Sequence, residues 1–363
     1  MDPASGGSSP QAAPSMIPIE APSVAVVGGG VLGARIAREL LTHISDPWVR
    51  PSRIVLVTRR PERAKVLRGS FGHDLRVIDD TTESWAPGDD TDIVILARES
   101  ESQFALARQA ISGQSHVIST SDDLAEVEEL LTLDTDARGQ GVTVALGATM
   151  SPGLSCLLAS HAADLFDRVD EVHVGRVGAG GPSCARSRLR ALRGTALELR
   201  SKEWTRRPGF SGRELLWFPD PIGGRDCYRA ALVDPLLLAP HFVDADRITS
   251  RIGATRRDRA LAPFPVLLPP PEDGGVGALR VELRGDVGGE RRTVVYGSLD
   301  RPSVAASATA AVTALWLARG SAPVGVMGLA GLGGTLEMLN ELARRGVRAA
   351  SFEGGAITAV AKP

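Results

Sequence analysis

Three glycines, Gly28-x-Gly30-x-x-Gly33, stand between a short apolar run, Ser23 to Val27 (SVAVV), and a helix-like segment, Ala34 to Leu41. At a strand-to-helix turn of this kind the first glycine permits the tight turn. The second lets backbone approach a diphosphate, and the third lets helix and strand close together. Unpaired N–H groups at the helix start then face an anion. The spacing therefore suits the pyrophosphate of a dinucleotide, held by Gly28, Gly30, Val31, Leu32 and Gly33. The next strand, Arg53 to Thr58, runs into Arg59 and Arg60, and the first acidic residue is Glu62, beyond Pro61. A carboxylate at that strand end would take a ribose 2′-OH; an arginine pairs with a 2′-phosphate and stacks on adenine. NADP is the expected cofactor, with NAD as the alternative. The chain has 38 Arg against three Lys, so two arginines could also fall there by composition alone.

Ligands of such sheets lie at the carboxyl ends of the strands. That nominates Ala97-Arg98-Glu99-Ser100, Ser119-Thr120-Ser121 and Gly147-Ala148-Thr149-Met150. Ala97, Arg98, Ser119 and Thr120 are expected to touch the cofactor. Met150, Ser151, Pro152 and Gly153 are expected to floor a substrate cleft where the chain leaves the first domain. Eight arginines and Lys202 lie between Arg186 and Arg213. Arg186, Arg190 and Arg193 would share a helix face, and Arg186 or Arg190 could clamp a substrate carboxylate. The plainer reading of that segment is a solvated basic face or a dimer contact.

Proton transfer would need a group near the reacting carbon. The candidates are Lys202, Tyr228, Tyr296, His43, His73, His116, His161, His173 and His241. His116 and His173 fall in strand-like runs, which suits structural roles. No catalytic residue is assigned. No Ser-His-Asp order, paired carboxylates or metal-ligand spacing is visible.

The elements that must position these residues alternate. Strands are expected at Ser23 to Val27, Arg53 to Thr58, Arg76 to Ile78, Thr91 to Ala97, Ser115 to Ser119 and Val142 to Leu146. Helices are expected at Ala34 to Leu41, Gln103 to Ile111 and Leu124 to Ala137, the last as one amphipathic helix. This order argues for a parallel sheet covered on both faces. After Gly147 the pattern changes. A helix at Leu154 to Leu165 and an alternating run at Val169 to Val177 precede a helix-like stretch, Arg186 to Leu199. Arg247 to Ala254, Ala278 to Gly285 and Arg291 to Leu299 then read as antiparallel strands, the last two joined by a hairpin turn. Ser303 to Ala318 and Thr335 to Arg345 read as helices.

With 363 residues the chain has room for two domains. Hydrophobic residues make up 43% and charged residues 23%, which excludes a wholly disordered chain. A net charge of −2 offers no general attraction to nucleic acid or anionic membrane. The uncharged runs Pro302 to Ala318 and Gly320 to Leu336 are each shorter than the roughly 20 residues of a membrane span. They are expected to form a buried helix and a glycine-rich loop. Cys156, Cys184 and Cys227 are odd in number and suit a reduced, cytoplasmic setting.

The segments VAVVGGGVLGARIARELL, GATMSPGLSCLLAS, GAGGPSCARSRLRALRGTALE and WFPDPIGG, with the closing LNELARRGVRAASFEG, resemble the saccharopine dehydrogenase-like NAD(P) oxidoreductases. The resemblance runs from about Val24 to Gly354. It implies an α/β fold with an N-terminal Rossmann doubly wound parallel sheet, an inserted α+β second domain and a C-terminal helical return. The corresponding segments are 1–22 (tail), 23–150 (cofactor domain), 151–301 (substrate domain), 302–355 (return) and 356–363 (tail). It also implies hydride transfer, often at carbon bonded to nitrogen, on a small substrate such as an amino acid or imine. An enoyl or carbonyl reductase, or a nucleotide-binding sensor without turnover, stands as the alternative. A small-molecule substrate is the expected partner, without nucleic acid or membrane, and a homodimer is left open.

Overall fold

The computed structural model describes residues 18–42, 48–81, 85–87, 90–98, 103–178, 180–256, 258, 271, 274–352 and 357–359. The first part of the chain alternates β1 (Ser23–Val27), α1 (Val31–Leu41), β2 (Arg53–Thr58), α2 (Lys65–Phe71), β3 (Leu75–Asp79), β4 (Ile93–Leu96) and α3 (Gln103–Ser112). It continues with β5 (His116–Ser119), α4 (Leu124–Leu131), α5 (Asp134–Gln140) and β6 (Thr143–Leu146). Short β-branched runs such as IVIL in β4 are buried along their whole length, as strands covered on both faces must be. The stretch from Leu124 to Ala137, expected as one helix, is two. Asp123 caps α4 by accepting from the backbone N–H of Ala125 and Glu126, and Thr132 and Leu133 interrupt before α5.

The second part comprises α6 (Leu154–Ala163), β7 (Arg168–Val177), α7 (Pro182–Arg193), β8 (Thr195–Arg200), β9 (Glu203–Pro208), β10 (Glu214–Phe218), β11 (Gly223–Tyr228) and α8 (Asp234–Leu238). Then follow β12 (Arg247–Gly253), β13 (Gly277–Val287) and β14 (Glu290–Asp300). The single helix expected over Arg186 to Leu199 is corrected: α7 stops at Arg193, and Gly194 turns the chain into β8. Ala196 to Leu199 are buried, and β8 pairs with β9 and β12 rather than continuing the helix. The expected β13–β14 hairpin forms, in register from Gly277 with Asp300 to Val287 with Glu290.

The last part holds α9 (Pro302–Ala318), β15 (Gly325–Gly328), α10 (Thr335–Arg344), β16 (Ala349–Phe352) and β17 (Ile357–Ala359). The return is therefore not purely helical. β15, inside the stretch expected as a loop, pairs in parallel with β6, while β16 pairs with β14. Residues 357–359, expected as tail, form β17. The first sheet has seven parallel strands in the order β15-β6-β5-β4-β1-β2-β3. The order in which strands are added reverses between β1 and β4. The second is a ten-stranded mixed sheet with β7, β13 and β14 at its centre. Every residue of α9 from Ala305 to Ala318 is buried, and its small side chains let it lie against α1. Trp316 anchors its end, donating from Nε1 to the Leu332 carbonyl at 3.1 Å.

Candidate functional site

The glycine turn sits at the carboxyl end of β1, where the strand order reverses. Gly28 has φ +127°, and a Cβ there would lie 2.4 Å from the Ala97 carbonyl oxygen. A Cβ on Gly33 would lie 1.7 Å from the Gly28 carbonyl oxygen, so α1 can dock only on glycine. Gly30 differs. Its backbone is extended (φ −71°, ψ −176°), and a Cβ would meet nothing within 4 Å. Gly30 caps α1 without a side chain, and the first turn holds no acidic residue. The N–H groups of Val31, Leu32 and Gly33 thus open onto unfilled space, as an anion site requires.

The loops around this turn are tied strand to strand. Gly28 N–H donates to the Val57 carbonyl and Ala97 N–H to that of Val27. Thr58, buried at the end of β2, accepts from Arg60 N–H at 3.0 Å. The side chains of Arg59 and Arg60 stand in solvent. Arg59 Nε lies 3.6 Å from Asp80 Oδ2, and Arg98 donates a short hydrogen bond to the same oxygen. Asp80 N–H donates to the Thr58 carbonyl at 2.9 Å. Asp80 was not expected from the sequence; the available signal is an acidic pair, Asp79-Asp80, closing a short strand. Glu99 and Ser100 lie outside the described residues.

Ser119 and Thr120 are buried, and their hydroxyls are used locally. Ser119 Oγ donates to Gln103 Oε1 at 2.7 Å, and Thr120 Oγ1 to the Leu96 carbonyl at 2.9 Å. Gln103 in turn donates to the Arg98 carbonyl at 2.9 Å. Beneath this network Glu126 is buried, which pushes its carboxyl up to about 7 against the smaller opposing pull of Ser121 and the Gln103 backbone N–H.

The two parts of the chain meet around Arg176 of β7. Its guanidinium donates to the Ser151 carbonyl and pairs with Asp122 at 3.3 Å. Ser187 of α7 donates to Asp122 at 2.6 Å, and Arg190 lies 3.5 Å from Asp123. Ser151 Oγ and Ser155 Oγ both donate to Asp234, at 3.0 and 2.6 Å. Burial pushes the Asp234 carboxyl up, opposed by these serines and Arg176. Met150, Ser151, Pro152 and Gly153 are all buried. Arg186 and Arg190 are both exposed on α7, and Arg190 reaches Asp123 across the seam. The sequence did not reveal Arg176, Asp122 or Asp234, because each partner lies on a distant element.

The other titratable candidates stand apart. His116 accepts from Thr143 N–H through Nδ1 at 3.0 Å, and burial lowers its pKa to about 4, so it is a neutral core residue. His173 bridges Thr249 and Glu171 on the second sheet. His161 stacks on Tyr296 with ring centroids 5.8 Å apart. Tyr228 packs edge-on to Phe210. Lys202 is exposed in the β8–β9 turn, and His73 is exposed before β3. His241 packs edge-on to Phe242. His43 lies outside the described residues. Burial pushes the Cys156 and Cys227 thiols up to about 12, which makes them unreactive. Among the described residues no group of three or more His, Cys, Asp or Glu is placed to hold a metal, and no helix is long and apolar enough to cross a membrane.

No protein-family model and no curated protein sequence matches the chain. Solved structures do. An apo, histidine-tagged saccharopine dehydrogenase (L-Glu forming) from Saccharomyces cerevisiae aligns over 92% of this chain and 100% of its own, at 13% identity and a TM-score of 0.65. A DAP dehydrogenase of C. glutamicum in complex with DAP aligns over 90% of this chain and 99% of its own, at 16% identity and a TM-score of 0.49. An engineered D-amino acid dehydrogenase bound to NADP+ gives 90% and 99%, at 15% identity and a TM-score of 0.47. The first likeness shows that the two chains share a fold, the one expected from the sequence.

Proposed function

We propose that the chain is an NAD(P)-dependent oxidoreductase of the saccharopine dehydrogenase type, using NADP in preference to NAD. The observation that carries this reading is the turn at Gly28 to Gly33. It lies at the strand-order reversal of a doubly wound sheet, where dinucleotides bind, and it leaves open space over an uncapped helix start. Gly28, Gly30, Val31, Leu32 and Gly33 would hold the pyrophosphate, and Ala97, Arg98, Ser119 and Thr120 would border the rest of the nucleotide. Arg59 and Arg60, exposed at the end of β2, would take the 2′-phosphate. When bound, the cofactor supplies or accepts a hydride; the protein's part is to place it against the substrate and exclude water.

The substrate is proposed to be small and anionic, an amino acid or imine, entering at the seam between the two sheets. Arg190, with Arg186 beside it, would face its carboxylate. The first likeness supports this class only through the fold. A second reading, nucleotide binding without turnover, is favoured by one observation. The carboxylates at the seam are engaged, Asp122 by Arg176 and Ser187, Asp123 by Arg190, and Asp234 by two serines.

Titration of the protein with NADPH, NADP+, NADH and NAD+, followed by an NADPH turnover panel of imines, keto acids with amines, and enones, tests both readings. Saturable NADPH binding with imine turnover supports the first. Binding with no turnover across the panel favours the second. Absence of binding by any of the four nucleotides refutes both.

A further inference from the structure

Asp80 stands at the end of β3, and Arg98 at the end of β4. The order β4-β1-β2-β3 puts two strands between them, about 14 Å at roughly 4.8 Å per strand. Their ion pair therefore crosses the carboxyl ends of β1 and β2, above the glycine turn and beside Arg59. The carboxylate and the Arg98 guanidinium are only 15% and 17% exposed, whereas Arg59 is 71% exposed. Arg98 starts directly over Gly28, since a Cβ on that glycine would lie 3.2 Å from Arg98 N. Asp80 is also held from behind, its N–H donating to the Thr58 carbonyl. A fixed negative charge thus sits where the adenosine half of a dinucleotide must pass, already engaged with two of the cations nearest that half.

We propose that Asp80 sets the choice between a 2′-phosphorylated and an unphosphorylated adenine dinucleotide, by competing with the 2′-phosphate for Arg59 and Arg98. This rests on the nucleotide site proposed above. A 2′-phosphate brings up to two negative charges toward Arg59 and meets a carboxylate already there. A free 2′-OH brings none and can donate to that carboxylate. The same residue therefore penalises one cofactor and favours the other. Arg59 and Arg60 pull toward the phosphorylated form, and Asp80 limits how far.

The test is the ratio of dissociation constants, Kd(NADH)/Kd(NADPH), measured by nucleotide fluorescence for the full chain and for Asp80→Asn and Asp80→Glu. Removing one charge beside the largely exposed Arg59 is expected to raise the ratio about tenfold in Asp80→Asn. Asp80→Glu keeps the charge and should stay within about threefold of the parent. Far-ultraviolet circular dichroism melts of each variant confirm that the fold persists. An unchanged ratio in Asp80→Asn, or an equal loss of both nucleotides, overturns the inference while leaving the nucleotide site standing. A parent that binds neither nucleotide overturns both. Should Asp80→Asn fail to fold, Asp80→Ser is measured in its place, and an unchanged ratio there overturns the inference.

Discussion

Gly30 offers a substitution that separates binding from folding. Its backbone is extended, a conformation that valine adopts readily, and a new Cβ would enter empty space. Gly30→Val should therefore fold. The cost is that of replacing glycine at a helix N-cap by a branched apolar residue, about 1 kcal/mol, a fall in Tm of roughly 2–4 °C. The same branched carbons would fill the space over Val31, Leu32 and Gly33, where the pyrophosphate is proposed to lie. Losing one or two hydrogen bonds to a charged group, at about 1.5–3 kcal/mol each, weakens nucleotide binding by about tenfold or more. Gly33→Val is the control. Its Cβ would sit 1.7 Å from the Gly28 carbonyl oxygen, so α1 must leave the sheet and the fold should be lost. Isothermal titration with NADPH and thermal melts of both variants provide the readout. A folded Gly30→Val protein with parental affinity would show that the phosphate lies elsewhere. A Gly30→Val protein that melts as early as Gly33→Val would refute the open cradle itself.

Replacing both Arg59 and Arg60 by Ala should weaken NADPH binding at least tenfold and NADH little; equal losses in titration would refute the NADP preference. Arg176→Met strips the donor from Asp122 and the Ser151 carbonyl, and chemical denaturation should show a loss of about 2–4 kcal/mol. Arg190→Ala, whose guanidinium is 60% exposed, should cost under about 1 kcal/mol in the same experiment, and comparable losses would sink the contrast. His116 has a folded pKa near 4 and an unfolded value of 6.5, so the unfolded state takes up its proton first. Stability should fall by about 3 kcal/mol as pH drops from 6.5 through 4, and a His116→Gln protein should show a shallower fall in pH-dependent denaturation. Glu126 acts oppositely. Its folded pKa near 7 exceeds its unfolded 4.5, so its contribution is intact below 4.5 and lost as pH rises through 7. Glu126→Gln should then gain on the order of 2 kcal/mol relative to the parent at pH 8 compared with pH 4.

The glycine turn and the strands at Ser23–Val27 and Arg53–Thr58 were legible because a fixed spacing sits beside long apolar runs. The Gly194 break between α7 and β8 was missed because Thr195 to Arg200 is short and the arginines before it fit a helix as well. β15 was hidden for a different reason. Gly325–Gly328 has two glycines in four residues, and its strand character comes from pairing with β6, not from its own composition. The seam was the least legible part. In a chain with 38 arginines nothing marks Arg176 until folding brings Asp122 beside it, and the strand-end position that nominates Arg98 gives no sign of its partner Asp80.

The pairing of β15 with β6 has a consequence for biosynthesis. Thr143 donates to the Pro323 carbonyl across 180 positions of chain, and α9 covers α1 from farther still. A ribosome adding roughly 5–20 residues per second takes on the order of 10–40 s between making β6 and making β15. Throughout that interval the nascent first sheet has an open edge at β6 and a bare apolar face on α1. Closing so long an excursion also costs about 4–5 kcal/mol of chain entropy before β15 and α9 contribute any contact. The first sheet is therefore started first but completed only after most of the second has been made. A fragment ending near residue 150 would expose a hydrophobic strand edge and should aggregate rather than serve as a minimal binding module.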